Sequence, residues 1–283
     1  MQQGLVVLPG VYSAITAKAA VQAGAEALYV SGAGVTNSLL AQPDIALITL
    51  PELAQQASYV TAAAGNVPVI SDADTGFGDV HNVARTVREM ERAGLAGIHL
   101  EDQLSPKRCG HLDGKTLVSP EEMAAKIVAA VESKIDTDFL IIARTDARQP
   151  EGLEAAIHRA KRYIDAGADA IFPEGLESED EFQRFRDALQ TPLLANMTEF
   201  GKTPIITATR FKELGYNLVI FPMTAFRVML RAISEAYEEL VRTGTQSGLL
   251  EKMKTRAELY ELIEYARYTE LDAKWANTAR SGE

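Results

Sequence analysis

The chain has 283 residues, 47% of them hydrophobic and 24% charged, and a formal net charge of −11. This is ordinary globular composition with length for a large core. The absence of a basic tract or an RNA-type aromatic motif argues against a nucleic-acid partner. One cysteine excludes an intrachain disulfide and fits a reducing cytosol. Met1-Gln2-Gln3-Gly4 does not open a charged-then-apolar leader, and no run reaches the roughly 18 apolar residues that cross a membrane. The expectation is a cytoplasmic protein without membrane contact, forming a single domain over 1–283.

Short apolar runs alternate with helical patterns along the chain. The runs are 5–8, 27–30, 67–70, 97–100, 139–142, 170–173, 192–195 and 218–221, each reading as a parallel strand buried on both faces. Between them lie an alanine-rich helix from Ala14 to Ala23, one from Pro51 to near Gly65, and one from Asp79 to Ala93. A further helix opens at Ser119-Pro120-Glu121-Glu122, with an N-cap, proline at the first position and acids in the first turn. Four similar stretches, at Gly24, Gly94, Gly167 and Gly215, look like helix-ending glycines before the next strand. Eight strands alternating with helices predict a (β/α)8 barrel of the α/β class. An open doubly wound sheet is disfavoured, because no Gly-x-Gly-x-x-Gly follows the first strand. From about 225 to 283 the pattern stays helical, over Arg231–Val241 and Thr255–Tyr268. Its apolar faces (Leu230, Ile233, Tyr237, Leu240; Leu259, Leu262, Ile263) suit packing on the barrel or on a neighbouring subunit.

In such barrels chemistry gathers at the C-terminal strand ends. There this sequence places Tyr29 and Ser31-Gly32-Ala33-Gly34, then Asp72 and Asp74, then Glu101 and Asp102. Arg144, Asp146, Glu174, Asn196, Thr198 and Arg227 follow. Asp72 and Asp74 share a strand face. Two such carboxylates repel unless a proton or cation separates them, and all-oxygen ligation suits Mg²⁺ or Mn²⁺. Alternatively one of them caps the next helix, or Asp79 does. Arg144 and Arg227 have the forked geometry that binds carboxylates, which points to a small polycarboxylate substrate. Arg144 could instead pair with Asp146 or Glu174. The glycine-rich turn after strand two could present backbone N–H groups to a carboxylate or be only a tight turn. His99, in mid-strand, reads as a satisfied core histidine rather than a ligand. Lys107-Arg108-Cys109-Gly110-His111 sets the one thiol among cations, which favours a reactive thiolate. The plain alternative is a basic loop whose cysteine only packs.

Taken together these residues resemble the isocitrate lyase / phosphoenolpyruvate mutase superfamily over nearly the whole chain. Lys107-Arg108-Cys109-Gly110-His111 is similar to the signature of its lyase branch. Asp72-Ala73-Asp74-Thr75-Gly76-Phe77-Gly78, Glu101-Asp102-Gln103, Ala143-Arg144-Thr145-Asp146-Ala147 and Leu194-Ala195-Asn196-Met197-Thr198-Glu199-Phe200-Gly201 fit as well. The helix that family members usually carry ahead of strand one has no counterpart here, a departure that bears on stability more than on chemistry.

The resemblance implies Mg²⁺-dependent cleavage of 2-methylisocitrate to pyruvate and succinate. It implies Asp72, Asp74, Asp44 and Glu101 around the metal, directly or through water. Cys109 would protonate the succinate carbanion, with Lys107 and His111 in the same catalytic loop and Tyr29 as the base. Ser31, Gly32, Ala33, Gly110, Arg144, Glu174, Asn196, Met197, Thr198, Arg227 and Arg256 would hold or orient the substrate. It also implies a homotetramer with exchanged C-terminal helices. An acid must start protonated while the surrounding cations favour thiolate; closure over a dianionic substrate would restore the proton. A sister lyase on isocitrate or dimethylmalate keeps the same residues. A phosphonomutase or oxaloacetate decarboxylase would not need Cys109, and a catalytically dead barrel would show no turnover.

Overall fold

The computed structural model describes residues 4–108, 110 and 114–281. The chain divides into two compact units, Met1–Phe226 and Arg227–Glu283.

Eight strands build the first unit: β1 Val6–Val11, β2 Leu28–Val30, β3 Val69–Asp72, β4 Gly97–Glu101, β5 Leu140–Thr145, β6 Ala170–Pro173, β7 Leu194–Asn196 and β8 Leu218–Phe221. All pair in parallel, in the order β6-β5-β4-β3-β2-β1-β8-β7. A parallel bridge between Ile171 and Leu193, with the Ile171 amide on the Pro192 carbonyl at 3.0 Å, joins the two ends into a barrel. The expected strands are all present. Several extend one to three residues further toward the C-terminus: β3 reaches Asp72 and β5 reaches Thr145. The polar strand ends are therefore held by the ladder itself and do not hang in loops.

Helices separate the strands: α1 Ala14–Gln22, α2 Gly32–Val35, α3 Leu50–Ala64, α4 Val80–Arg92, α5 Pro120–Ser133, α6 Arg148–Glu151, α7 Leu153–Asp165, α8 Glu179–Ala188 and α9 Ala208–Glu213. On α3 the buried residues Leu50, Leu53, Ala57, Val60 and Ala64 recur at helical spacing, giving the stripe that faces the sheet. Ser119 caps α5 by accepting from the Glu122 amide at 3.1 Å. Asp79 caps α4 by accepting from the Val80 amide at 2.7 Å, which leaves Asp72 and Asp74 free of that duty. The four repeated glycines adopt left-handed backbone, with φ of 89°, 83°, 102° and 81° at Gly24, Gly94, Gly167 and Gly215. Each ends a helix where a side chain would be strained.

Leu8, Tyr29, Ile70, Ile142, Phe172, Leu194 and Ile220 belong to one buried cluster inside the barrel. Because strand side chains alternate, the next inward positions are two residues further on. They are Gly10, Ser31, Asp72, Arg144, Glu174, Asn196 and Pro222. On β2, β3, β5, β6 and β7 the inward face thus changes from apolar to polar in one step at the mouth, while Gly10 and Pro222 keep the β1 and β8 ends apolar.

The second unit continues α10 (Thr224–Thr243) and adds α11 (Arg256–Leu262) and α12 (Tyr265–Ser281). The expected helix over Thr255–Tyr268 is in fact two, broken where Glu264 adopts φ 57°. Among the described residues no helix is long and apolar enough to cross a membrane.

A methyl at Gly10 would meet the Pro222 carbonyl oxygen at 2.2 Å and its carbon at 2.5 Å, both backbone atoms that cannot turn aside. Gly10→Ala should destabilise the barrel by about 1–3 kcal/mol, the usual cost of overpacking. Urea denaturation of the two proteins checks this.

Candidate active site

The first group at the mouth is acidic, with one cation inside it. Asp72 ends β3, and the chain then turns so tightly that Asp74 adopts φ 46° and Phe77 φ 58°. Left-handed backbone at non-glycine residues is strained and persists where surrounding contacts enforce it. Here the Asp74 amide donates to Asp72 Oδ1 at 2.9 Å. The buried Lys107 ammonium lies 2.9 Å from Asp74 Oδ1 and 2.5 Å from Asp44 Oδ1, tying two loops to the strand end. Burial alone would depress Lys107, but Asp74, Glu101, Asp72 and Asp44 outweigh it and raise its pKa well above the ordinary value. Burial pushes the carboxylates the other way: Asp74 rises to about 6, Asp72 rises, and Glu101 rises well above the usual range. Both Glu101 oxygens and Asp74 Oδ2 are buried without a hydrogen-bond partner.

Buried, unsatisfied carboxylate oxygens are costly unless a proton or cation meets them. This donor set is all oxygen, which fits Mg²⁺ or Mn²⁺. Among the described residues no three acids or histidines converge closely enough to ligate a metal on their own. The set therefore fits a cation that keeps most of its water, as Mg²⁺ does.

The second group centres on Arg144. Strand register sets Glu101 directly opposite it. Its guanidinium donates to Asp146 Oδ2 at 2.9 Å and to Oδ1 at 3.1 Å, and lies 3.4 Å from both Glu101 Oε2 and Glu174 Oε2. The Phe172 ring lies 5.2 Å beneath it. The alternative that Arg144 pairs with Asp146 or Glu174 is realised with both. One edge is fixed by Asp146, and Nη1 lies between Glu101 and Glu174. Asn196 donates to Glu174 Oε2 at 3.1 Å, and the Gly175 amide donates to Oε1 at 2.8 Å, so Glu174 is held from two sides. Two glycines admit close backbone approach. A methyl on Gly32 would lie 2.6 Å from Asp72 Oδ2, and one on Gly110 would lie 2.5 Å from Arg144 Nη2 and from Glu174 Cγ.

Tyr29 and His99 form the floor. The phenol and His99 Nε2 are 2.9 Å apart, and His99 packs edge-on to Phe172. Burial depresses His99 to about 3, so it is neutral. Its Nδ1 is buried without a partner, so it is less fully satisfied than a core histidine should be. Burial, followed by Asp72, raises the Tyr29 phenol well above its ordinary value. The acidification that a base at Tyr29 requires is not supplied by these neighbours: the opposing pull of Arg144 and Lys107 is the weaker effect.

Ser31 caps α2 by accepting from the Gly34 amide at 3.1 Å, so the glycine-rich stretch is a helical turn, with Ala33 half-buried within it. Met197 is buried with its sulfur on the Ile206 amide, and Thr198 is half-buried beyond β7. Arg227 on α10 and Arg256 on α11 are exposed and belong to the second unit. Cys109 and His111 lie outside the described residues.

Three contributors carry no assigned role in the sequence reading. Asp102 accepts from Thr145 Oγ1, the Asp146 amide and the Tyr163 hydroxyl, each at 2.8 Å, with Arg159 at 3.5 Å. It locks the β5 end and hence Arg144; its signal was its place beside Glu101 at a strand end. Gln103 and Lys115 hold the loop that follows β4. A lone lysine in Gly114-Lys115-Thr116 resembles any surface lysine, and only the return of the chain, through the Gln103–Leu117 bridge, buries it.

The fold and sequence that carry this barrel mouth are similar to those of known enzymes. The family model described as phosphoenolpyruvate phosphomutase matches residues 1–241. The chain is 54% identical to 2-methylisocitrate lyase of Aeropyrum pernix, over 98% of this chain and 89% of that protein. It is 43% identical to 2,3-dimethylmalate lyase of Eubacterium barkeri, over 96% and 94%. A crystal structure of 2,3-dimethylmalate lyase superposes with a TM-score of 0.91 at 39% identity, covering 96% of this chain and 90% of that one. The chain belongs to the phosphoenolpyruvate mutase / isocitrate lyase superfamily. It is an enzyme, and a lyase.

Asp102→Ala would strip three buried donors and Arg159 of their shared acceptor. Its expected cost is about 3–5 kcal/mol, as for breaking a buried charge network from one side. Chemical denaturation monitored by circular dichroism gives the value; a loss under 1 kcal/mol, the scale of an exposed pair, would contradict the network.

Proposed function

We propose that the chain cleaves 2-methylisocitrate to pyruvate and succinate, with Mg²⁺ and with Cys109 as the general acid. The carrying observation is the paired arrangement at the mouth: an all-oxygen acidic cluster with unsatisfied buried oxygens beside a guanidinium fixed in one orientation. The named activity of the Aeropyrum relative supports the substrate.

In the reaction the C2 hydroxyl loses its proton and the C2–C3 bond breaks. C2 leaves as the keto carbon of pyruvate. The electron pair stays on C3, which takes a proton to give succinate. Bound Mg²⁺ would supply Lewis-acid chemistry to the hydroxyl and its neighbouring carboxylate. Asp72, Asp74, Asp44 and Glu101 would hold that ion, through water. Arg144 and the turn at Ser31, Gly32 and Ala33 bind the carboxylate that becomes pyruvate's. Asn196, Thr198, Met197 and Gly110 hold the succinyl end, and Glu174 orients Arg144 and Asn196. Cys109 gives the proton to C3, within a loop whose Lys107 and His111 set its charge. The base is an oxygen of the acidic cluster, since burial, followed by Asp72, raises the phenol pKa of Tyr29.

A cytoplasmic homotetramer that exchanges C-terminal helices completes the reading. On α10, Leu230, Ile233, Tyr237 and Leu240 are exposed in the single chain at helical spacing, as an intersubunit face would be. Tyr237→Glu should convert the assembly to smaller species in light scattering. A wild-type monomer would sink the assembly reading.

The deciding assay is ketoacid release from 2-methylisocitrate, isocitrate and 2,3-dimethylmalate, with Mg²⁺ or EDTA. Pyruvate from 2-methylisocitrate should vanish with EDTA. Cys109→Ser should lower kcat by about 10²–10⁴, the usual worth of general acid catalysis. Stronger glyoxylate release from isocitrate would move the substrate, and activity surviving Cys109→Ser would move the reaction class. A methyl group is worth only about 1–3 kcal/mol of discrimination, so the comparison must be quantitative.

A further inference from the structure

The loop after β4 is held by two side chains that touch no part of the carboxylate cluster. Gln103 is buried at its base. Its Oε1 accepts from the Arg108 amide at 2.9 Å and its Nε2 donates to the Arg108 carbonyl at 2.8 Å. One carboxamide thus satisfies both backbone groups of one residue, as a neighbouring strand would. Two positions on, the buried Lys115 ammonium donates to the Gly110 carbonyl and lies 3.1 Å from Asp146 Oδ1. Asp146 is the carboxylate that fixes Arg144. Burial alone would raise Asp146, but Arg144 and Lys115 together hold it below the usual carboxylate range. The two clamped residues, 108 and 110, are the chain neighbours of Cys109.

We propose that Gln103 and Lys115 are positioning residues that set the main chain on both sides of Cys109, and that Lys115 ties that loop to the substrate arginine through the shared carboxylate of Asp146. The catalytic meaning of this rests on the reading of Cys109 as the acid; the geometric claim does not. A buried ammonium whose partners among the described residues are a carbonyl and a carboxylate loses much by separation from either. Loosening the loop at residue 110 therefore leaves Lys115 and Asp146 each short of a partner. The same carboxylate then orients Arg144 less firmly. Gly110 is also the position where any side chain would collide with Arg144 and Glu174, so the clamped backbone lies directly against the fork.

Cys109 is the single cysteine of the chain, so alkylation reports on one site. The test is the rate of iodoacetamide alkylation across pH for wild type, Gln103→Leu, Lys115→Met and Lys115→Arg, with the fold of each checked by circular dichroism. The pH midpoint reports the thiol's charge environment, and the limiting rate at high pH reports access. Gln103→Leu changes no charge, so it should raise the limiting rate about 10-fold or more with the midpoint unmoved, the scale of losing two buried hydrogen bonds. Lys115→Met should raise it similarly, and Lys115→Arg should restore part of the protection. In turnover, both neutral variants should lose kcat more than they raise KM. Limiting rates equal to wild type in Gln103→Leu and Lys115→Met would overturn the proposal. Raised rates in an enzyme inactive on all three substrates would uphold the clamp while removing the proposed reaction.

Discussion

The mouth of the barrel depends on the buried contact between Arg144 and Asp146. A guanidinium in a sheet interior is tolerable only when its donors are met. Asp146 meets two of them, leaving the remaining edge turned toward Glu101 and Glu174. Asp146 is in turn fixed by the β5 end, through the hydrogen bond from its amide to Asp102. The orientation of the fork is thus inherited from the backbone ladder and does not rely on a flexible stem. A donor set whose orientation is fixed in this way is electrostatically preorganised.

Much of this was legible in the sequence. Eight apolar runs, four helix-ending glycines and the Ser119 and Asp79 caps carry local information, and each of these local signals agrees with the barrel. The acids and arginines at strand ends were legible for the same reason: period-two alternation continues the inward face past the last apolar residue. The less legible features depend on chain return. Nothing local distinguishes Lys115 from a solvated lysine, nor Gln103 from a polar loop residue. Their roles exist only because residues 103 and 117 meet across a loop. The break at Glu264 was invisible because a single left-handed residue leaves helical periodicity nearly intact on either side. His99 was read as satisfied because an imidazole in mid-strand usually is, whereas its unpartnered Nδ1 is set by the particular packing of Tyr29 and Phe172.

Charge balance links the acidic cluster to the loop. Asp44, Asp72, Asp74 and Glu101 bring four carboxyl groups around one ammonium, that of Lys107. Burial raises Asp72, Asp74 and Glu101 together, and the one positive charge of Lys107 only partly opposes it. Arg144 offsets part of the remainder from the Glu101 side. The residual deficit lies where Glu101 and Asp74 present oxygens without hydrogen bonds. A hydrated divalent cation would satisfy both the charge and the hydrogen bonding, since its waters would donate to the carboxylates. Lys107 alone could satisfy the charge only in part.

The same balance explains why the loop after β4 needs separate anchors. Lys107 carries the loop into the acidic cluster, but its partners are the groups that a cation would also engage, so this contact weakens as the cluster is neutralised. Gln103 and Lys115 use different partners: the backbone of Arg108, the carbonyl of Gly110 and the carboxylate of Asp146. None of these is a partner of Lys107. The loop is therefore attached to the barrel twice, once by a charge contact within the acidic cluster and once by contacts to other partners. A residue whose chemistry requires a fixed distance from the fork is better served by the second attachment, which makes the backbone on either side of position 109 a continuation of the Arg144–Asp146 pair.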